Sequence, residues 1–265
     1  MRLCSIASGS SGNCIYVGSG QTHVLVDVGI SGRRIEAGLN AIDLTTKEID
    51  GILITHEHCD HIKSLGVLAR RYQIPVYATA GTVNAMMQEN RLGKLPEGIF
   101  HEIREDENFT IKDLMVHPFT IPHDAAQPVG YRLQCGKQSV GIATDMGEYN
   151  EYIVENLQNL DAVLLEANHD IRMLEAGRYP YYLKQRILGK TGHLSNEHAG
   201  RLLCRLLHDH LKAVFLGHLS KENNYEKLAY ETVCMEVMLG NNPYQPRDFK
   251  IQVAKRDMIS EVITI

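Results

Sequence analysis

Residues 55–64 read THEHCDHIKS, directly after the apolar run Gly51-Ile52-Leu53-Ile54. Three imidazoles and a carboxylate within six positions, at the exit of a buried strand, must emerge together at one edge of a sheet. Histidine supplies only 13 of the 265 residues. At that frequency H-x-H-x-D-H arises by chance in roughly one such chain in several hundred, so a surface accident is a poor account. In an extended exit from a strand, side chains i and i+2 point the same way, so His56 and His58 can chelate one ion. Asp60 and His61 lie at the start of a helical pattern and turn toward a second site. For Asp60 alone, the competing role is that of an N-cap for a helix from His61. Imidazole with few carboxylates suits zinc, with manganese or iron as other occupants.

The same context recurs along the chain. His123 in IPHDAAQPVGY, Asp145 in GIATDMGE and His218 in AVFLGHLS each end or follow an apolar strand. Alone, each reads as a turn residue; together they are what ligands converging on one sheet edge would look like.

Strand-like runs (3–7, 14–17, 23–27, 52–55, 76–78, 162–165 and 213–216) alternate with helical patterns. Helices are expected over HIKSLGVLARRY, within 82–90, after Ser195 as N-cap, and near 225–238. Residues 111–144 are strand-rich, and 167–194 read as an irregular functional loop or lid. No long linker and no repeat divides the sequence, so residues 1–265 are expected to form one domain, with two sheets face to face and helices outside. The net charge of −5 argues against broad, nonspecific nucleic-acid affinity but not against a local basic groove. Six scattered cysteines without C-x-x-C, no signal-peptide core and no long apolar run suggest a cytosolic protein with reduced thiols and no membrane span.

The order H-x-H-x-D-H, His, Asp, His resembles the metallo-β-lactamase fold superfamily over nearly the whole chain. The resemblance implies an α+β fold, a four-layer αββα sandwich, with a dinuclear divalent-metal site between the sheets. By that pattern His56, His58 and His123 hold one ion, Asp60, His61 and His218 the other, and Asp145 bridges them. β-Lactamases of this fold typically lack a counterpart of His61 or carry Cys in place of Asp145, and redox di-iron relatives carry Glu in place of His58. The full His/Asp set therefore points to hydrolysis. Two such ions can activate a water and clamp attacking and leaving oxygens, with Asp60 as proton acceptor.

A poor leaving group also needs a proton donor. Glu166 in LLEANHD and His193 in TGHLSN are similar to the Glu/His pair that serves this purpose in tRNA 3′-processing nucleases of the superfamily. A carboxylate beside the imidazole would raise its pKa. Without the resemblance, a strand-end carboxylate and a helix-flanking His would suffice for both.

GSSGNC, THEHCDHIKSLGVLARRYQIPVYAT, HDAAQPVGY, LLEANHD, YYLKQRILGKTGHLSN and LGHLSKENN together resemble the bacterial YycJ/WalJ branch. That resemblance implies a metal-dependent 5′→3′ DNA exonuclease with a part in DNA repair. Cys59 stands where many members of the branch have Ser and is expected to be a packing residue.

Lys184, Arg186, Lys190 and Lys221 are candidate phosphate contacts, Tyr179, Tyr181 and Tyr182 candidate base-stacking groups, and the amides of 8–12 a candidate phosphate cradle. Solvated lysines, loop-packing tyrosines and a plain hairpin turn are the competing readings. Two other functions stay open. One is hydrolysis of a small ester (thioester, lactone or cyclic nucleotide); the other is a non-catalytic, metal-stabilised regulatory module. His208 and His210 are expected to end a helix, and His23, His101, His117 and His198 have no ligand context. His169 adjoins Glu166 without a clear role.

Overall fold

Period-2 burial organises the molecule. In the computed structural model, which describes residues 1–89 and 92–265, successive side chains of each central strand enter different cores. Val24 and Val26 face the opposite sheet while Leu25 faces helices. In the second half, Ala162 and Leu164 face inward while Val163 and Leu165 face outward. Strands that are apolar on both faces need cover on both, which a sheet packed between a second sheet and a helical layer provides.

The first half runs β1 (Arg2–Ala7), β2 (Cys14–Gly18), β3 (His23–Val26), α1 (Gly32–Asn40), β4 (Gly51–Leu53), α2 (Cys59–Ile62), α3 (Leu65–Tyr72), β5 (Val76–Thr79), α4 (Ala80–Gln88) and β6 (Phe100–Ile103). The second runs β7 (Phe109–Ile111), β8 (Leu114–Thr120), β9 (Val129–Cys135), β10 (Gln138–Ala143), α5 (Glu151–Leu157), β11 (Ala162–Glu166), α6 (Ile171–Ala176), α7 (Tyr181–Leu188), α8 (Asn196–Leu206), β12 (Ala213–Gly217), α9 (Glu226–Leu239) and β13 (Lys250–Val253). A last strand, β14 (Ile263–Thr264), returns to pair with β1. The two sheets have the orders β14-β1-β2-β3-β4-β5-β6 and β13-β12-β11-β10-β9-β8-β7. Helices α1, α3 and α4 cover the first, and α5, α8 and α9 the second. This is the expected αββα sandwich. No helix among the described residues is long and apolar enough to cross a membrane, and the six cysteines are unpaired.

The strand directions position the site. β3, β4 and β5 are mutually parallel, as are β10, β11, β12 and β13. β1 and β8 run the same way as their sheets' parallel sets, because each is separated from them by one antiparallel strand. The carboxyl ends of all these strands therefore open on common edges, where crevices in α/β sheets form.

Three local expectations are corrected. The single helix over HIKSLGVLARRY is divided, because the Ser64 amide and hydroxyl bond to the Val28 and Ile30 carbonyls instead of continuing the helical ladder. Residues 167–194 are not an irregular loop but carry α6, capped by Asp170, and α7, which starts after Pro180. His208 and His210 do not end a helix: α8 stops at Leu206, and His208 Nε2 lies 3.0 Å from the Leu160 carbonyl. The helix expected within 82–90 spans Ala80–Gln88, and Asn90 lies outside the described residues.

Candidate metal centre

The β4 exit brings His56 and His58 side by side: His56 Nε2 is 3.1 Å from His58 Nδ1. His123, three residues beyond the β8–β9 pairing, places its Nε2 3.2 Å from the same His58 nitrogen. Asp60 does not cap a helix; the N-cap of α2 is His58, and Asp60 sits in the first turn. There its Oδ2 lies 3.4 Å from His61 Nε2 and 3.7 Å from His218 Nε2. Asp145 stands between the groups, with Oδ2 at 3.3 Å from His61 Nε2 and 2.8 Å from His218 Nδ1, and Oδ1 at 3.9 Å from His123 Nε2. All seven residues named from the sequence meet at one place. Donor atoms of His56/His58/His123, of Asp60/His61/His218 and of His56/His61/Asp145 lie, within each set, no more than 4.8 Å apart.

The electrostatics of the cluster set buried imidazoles and carboxylates against one another. Burial, with the neighbouring His61, drives His56 well below the usual imidazole range. Burial opposes charge on His61 as well, but Asp27, Asp60 and Asp145 hold it well above that range. Asp145 is fully enclosed; burial pushes it up, and His218 and His61 pull it well below the ordinary carboxylate value. Its Oδ2 and the Nδ1 of His218 face each other at 2.8 Å without hydrogen-bond alignment, and both are buried with no other partner among the described residues. Buried polar atoms are rarely left so unless something else satisfies them. Lone-pair atoms of neutral imidazoles and carboxylates converging at 3–4 Å fit divalent cations with N/O preference.

Three further residues orient the donors. Asp27 Oδ2 lies 2.7 Å from His61 Nδ1, and both Asp27 oxygens accept from Thr55, through its amide and its hydroxyl at 2.9 Å. This is a carboxylate–histidine support of the kind that fixes a metal ligand's tautomer. Asn13 Nδ2 approaches His61 Nε2 at 3.1 Å, and the Ser8 hydroxyl accepts the His218 amide at 2.8 Å. Asp27, Asp145 and His218 adopt left-handed backbone, with φ of 61°, 61° and 54°. Asp and His tolerate this region better than most side chains, and such outliers gather at functional sites. Sequence reading missed Asp27, although HVLVDVG carries the same strand-ending acid as GIATDMG.

Beside the cluster, Glu166 Oε1 lies 2.7 Å from His193 Nδ1, and Glu166 Oε2 accepts the amides of Met146 and Leu194 at 2.8 and 3.3 Å. Burial alone would depress His193, but Glu166 and then Asp145 hold it up at about 9.

The basic residues named from the sequence are mostly engaged within the chain. Lys184 Nζ donates to the Glu175 carbonyl at 2.6 Å, Arg186 forks onto Asp124 beside His123, and Lys190 lies 3.5 Å from Glu148. Tyr181 and Tyr182 on α7 are exposed. Cys59 is exposed rather than packed, and with Ser10, Ser11 and Lys63 it lines a cavity of ≈ 410 Å³ that opens onto Asp60.

His169 is enclosed at 1% exposure, with neither ring nitrogen hydrogen-bonded among the described residues. Burial, then His193 and His198, lowers it to about 3. The folded chain thus binds fewer protons here than the unfolded one, whose imidazole titrates near 6.5. Stability is unaffected above 6.5 and falls as pH drops toward 3. From pH 7 to 5 the metal-free protein should lose about 2 kcal/mol through this ring, a loss absent from His169→Leu in urea titrations at both pH values. Equal losses in the two proteins would remove the assignment.

The beta-lactamase superfamily domain model matches residues 22–217. Exodeoxyribonuclease WalJ of Streptococcus pneumoniae serotype 2 is 41% identical over 228 residues, covering 86% of this chain and 85% of the relative. Exodeoxyribonuclease YycJ of Bacillus anthracis is 40% identical over 233 residues, 88% of each chain. The metallo-β-lactamase fold protein YhfI of Bacillus subtilis superposes with a TM-score of 0.72 over 98% of both chains at 16% identity. With two packed sheets, an edge cluster of His and Asp, and relatives at this identity over most of both chains, the chain belongs to the metallo-β-lactamase fold superfamily and, within it, to the WalJ/YycJ exodeoxyribonuclease family.

Proposed function

We propose that the chain, folded as one domain over residues 1–265, is a dinuclear metal-dependent phosphodiesterase that digests DNA from the 5′ end. The observation that carries this reading is the Glu166–His193 pair set 3.6 Å from Asp145, the carboxylate at the middle of the ligand cluster. A small-ester hydrolase with a good leaving group has no need of such a pair; an alkoxide leaving from phosphorus does. The two exonuclease-named relatives support the choice of DNA.

In this reading His56, His58 and His123 hold one ion, Asp60, His61 and His218 the other, with Asp145 shared. Zinc or manganese, less readily iron, suits that donor set. When bound, the ions supply an activated water and neutralise charge developing on the phosphoryl oxygens. Asp60, whose side chain is 21% exposed, accepts the proton that the attacking water gives up. Glu166 fixes His193 through Nδ1, which leaves Nε2 to deliver a proton to the departing sugar oxygen. Arg186, held by Asp124, orients the wall beside His123, and Lys184, Lys190 and Lys221 contact the strand. Reduced thiols at all six cysteines accord with a cytosolic setting, and removal of 5′ ends with a part in DNA repair.

The test is digestion of a duplex labelled separately at its 5′ and 3′ ends, with zinc or manganese. Mononucleotides released from the 5′ label first are expected. No release by protein shown to hold two ions, together with turnover of a thioester or lactone, would replace this reading with that of a small-ester hydrolase.

A further inference from the structure

A second cavity, of ≈ 280 Å³, is lined by Ser8 of the same loop whose Ser10 and Ser11 line the one that opens onto Asp60. Its walls come from three strand exits on the same edge as the metal cluster: Ser8 after β1, Ser220 and Lys221 after β12, and Lys255 and Arg256 after β13. It adjoins the centre directly, because the Ser8 hydroxyl that lines it accepts the His218 amide.

The chemistry of the cavity is that of an anion seat. Lys221, Lys255 and Arg256 bring three positive charges against one carboxylate, Glu226, which stands 3.9 Å from Lys255 Nζ. Arg256 is held in place from both ends: its Nη2 donates to the Leu219 carbonyl at 3.1 Å, and its own carbonyl accepts from Arg34 at 2.7 Å. Yet its Nε is buried without a hydrogen-bond partner among the described residues. That Nε packs against Gly9, so the guanidinium lining the cavity is fixed along this edge and presents its other donors as a planar fork that suits an oxyanion. The fourteen-residue helix α9 starts at the same wall, and its N-cap, Tyr225, makes no side-chain cap there. Its first-turn amides, which receive no cap from the Tyr225 side chain, and its positive dipole end add to the same preference.

We infer that this cavity seats a non-scissile phosphate of the substrate strand, next to the one positioned at the metal centre. The inference rests on the nuclease reading above. It gives the acidic chain a local site of positive charge built into the catalytic edge, not spread over its surface.

The test uses metal-loaded protein and a duplex with a non-hydrolysable terminal linkage, in which methylphosphonate neutralises one linkage at a time. Binding is read by fluorescence anisotropy across salt concentrations. Wild type should lose affinity most when a linkage next to the terminal one is neutral. Lys255→Ala should lower the salt slope by about 0.9, the loss of one phosphate contact, and should flatten the dependence on that linkage. Lys221→Ala provides an independent repeat. A wild-type profile unchanged in either variant overturns the seat and leaves the nuclease reading standing. A flat profile in wild type, with inorganic phosphate competing more weakly against Lys255→Ala, assigns the cavity to free phosphate and also overturns it. Wild type that neither binds nor digests DNA removes both.

Discussion

Asp145→Ala is expected to abolish hydrolysis and to leave the protein with less bound metal than wild type after dialysis against zinc. Asp145 lies against donors from both halves of the cluster: His61 and His218 through Oδ2, and His123 through Oδ1. Its loss leaves buried imidazoles facing one another with less opposing charge, which favours repulsion over chelation. Outer-shell partners of metal ligands typically cost 10–100-fold in affinity when removed. Asp27→Asn should fall in that range, because it keeps the contact with His61 but removes the charge. Asp145→Ala should exceed it, with activity at background. Metal content by plasma mass spectrometry, alongside competition with a chromophoric chelator, separates the two. Full metal retention in Asp145→Ala would show that the remaining ligands hold metal without it and would end the role given to this carboxylate.

The contrast between Asp27 and Asp145 also shows how far the sequence could be read. Both end a buried strand, both take left-handed backbone, and both face His61. Only the one with a place in the His/Asp ligand order stood out. Asp27 supports a ligand, and support is a spatial relation across the β3–β4 pairing that linear spacing does not mark. Ligands themselves were legible because each had to leave a strand at the same edge, and period-2 burial makes such strands visible. The helices of 167–194 were not, because α6 and α7 have six and eight residues and bury little: Leu174 in one, Ile187 in the other. Cavities were the least accessible feature. The anion seat draws on segments near 8, 220 and 255, and nothing in any one of them announces the other two.

Glu166→Gln and His193→Ala are expected to keep both ions and still lose about 10²- to 10⁴-fold in turnover of DNA. The loss should depend on the leaving group. Protonation matters when the departing oxygen is a sugar alkoxide and matters little when it is a nitrophenolate, which is stable without a proton. Against bis(p-nitrophenyl) phosphate the two variants should therefore retain most of their activity, within about tenfold of wild type. A purely structural role for the pair predicts something else. Glu166 also accepts the amides of Met146 and Leu194, so a variant that disturbs those loops would depress both substrates alike and lower metal content through the neighbouring Asp145. Gln at 166 is chosen because its carbonyl can accept one of those amide bonds while it withdraws the charge that holds His193 at about 9. Equal losses on both substrates with both ions in place would remove the proton-donor role from His193. The proton would then have to come from elsewhere on the catalytic edge, where Asp60 is the remaining partly exposed acid of the cluster.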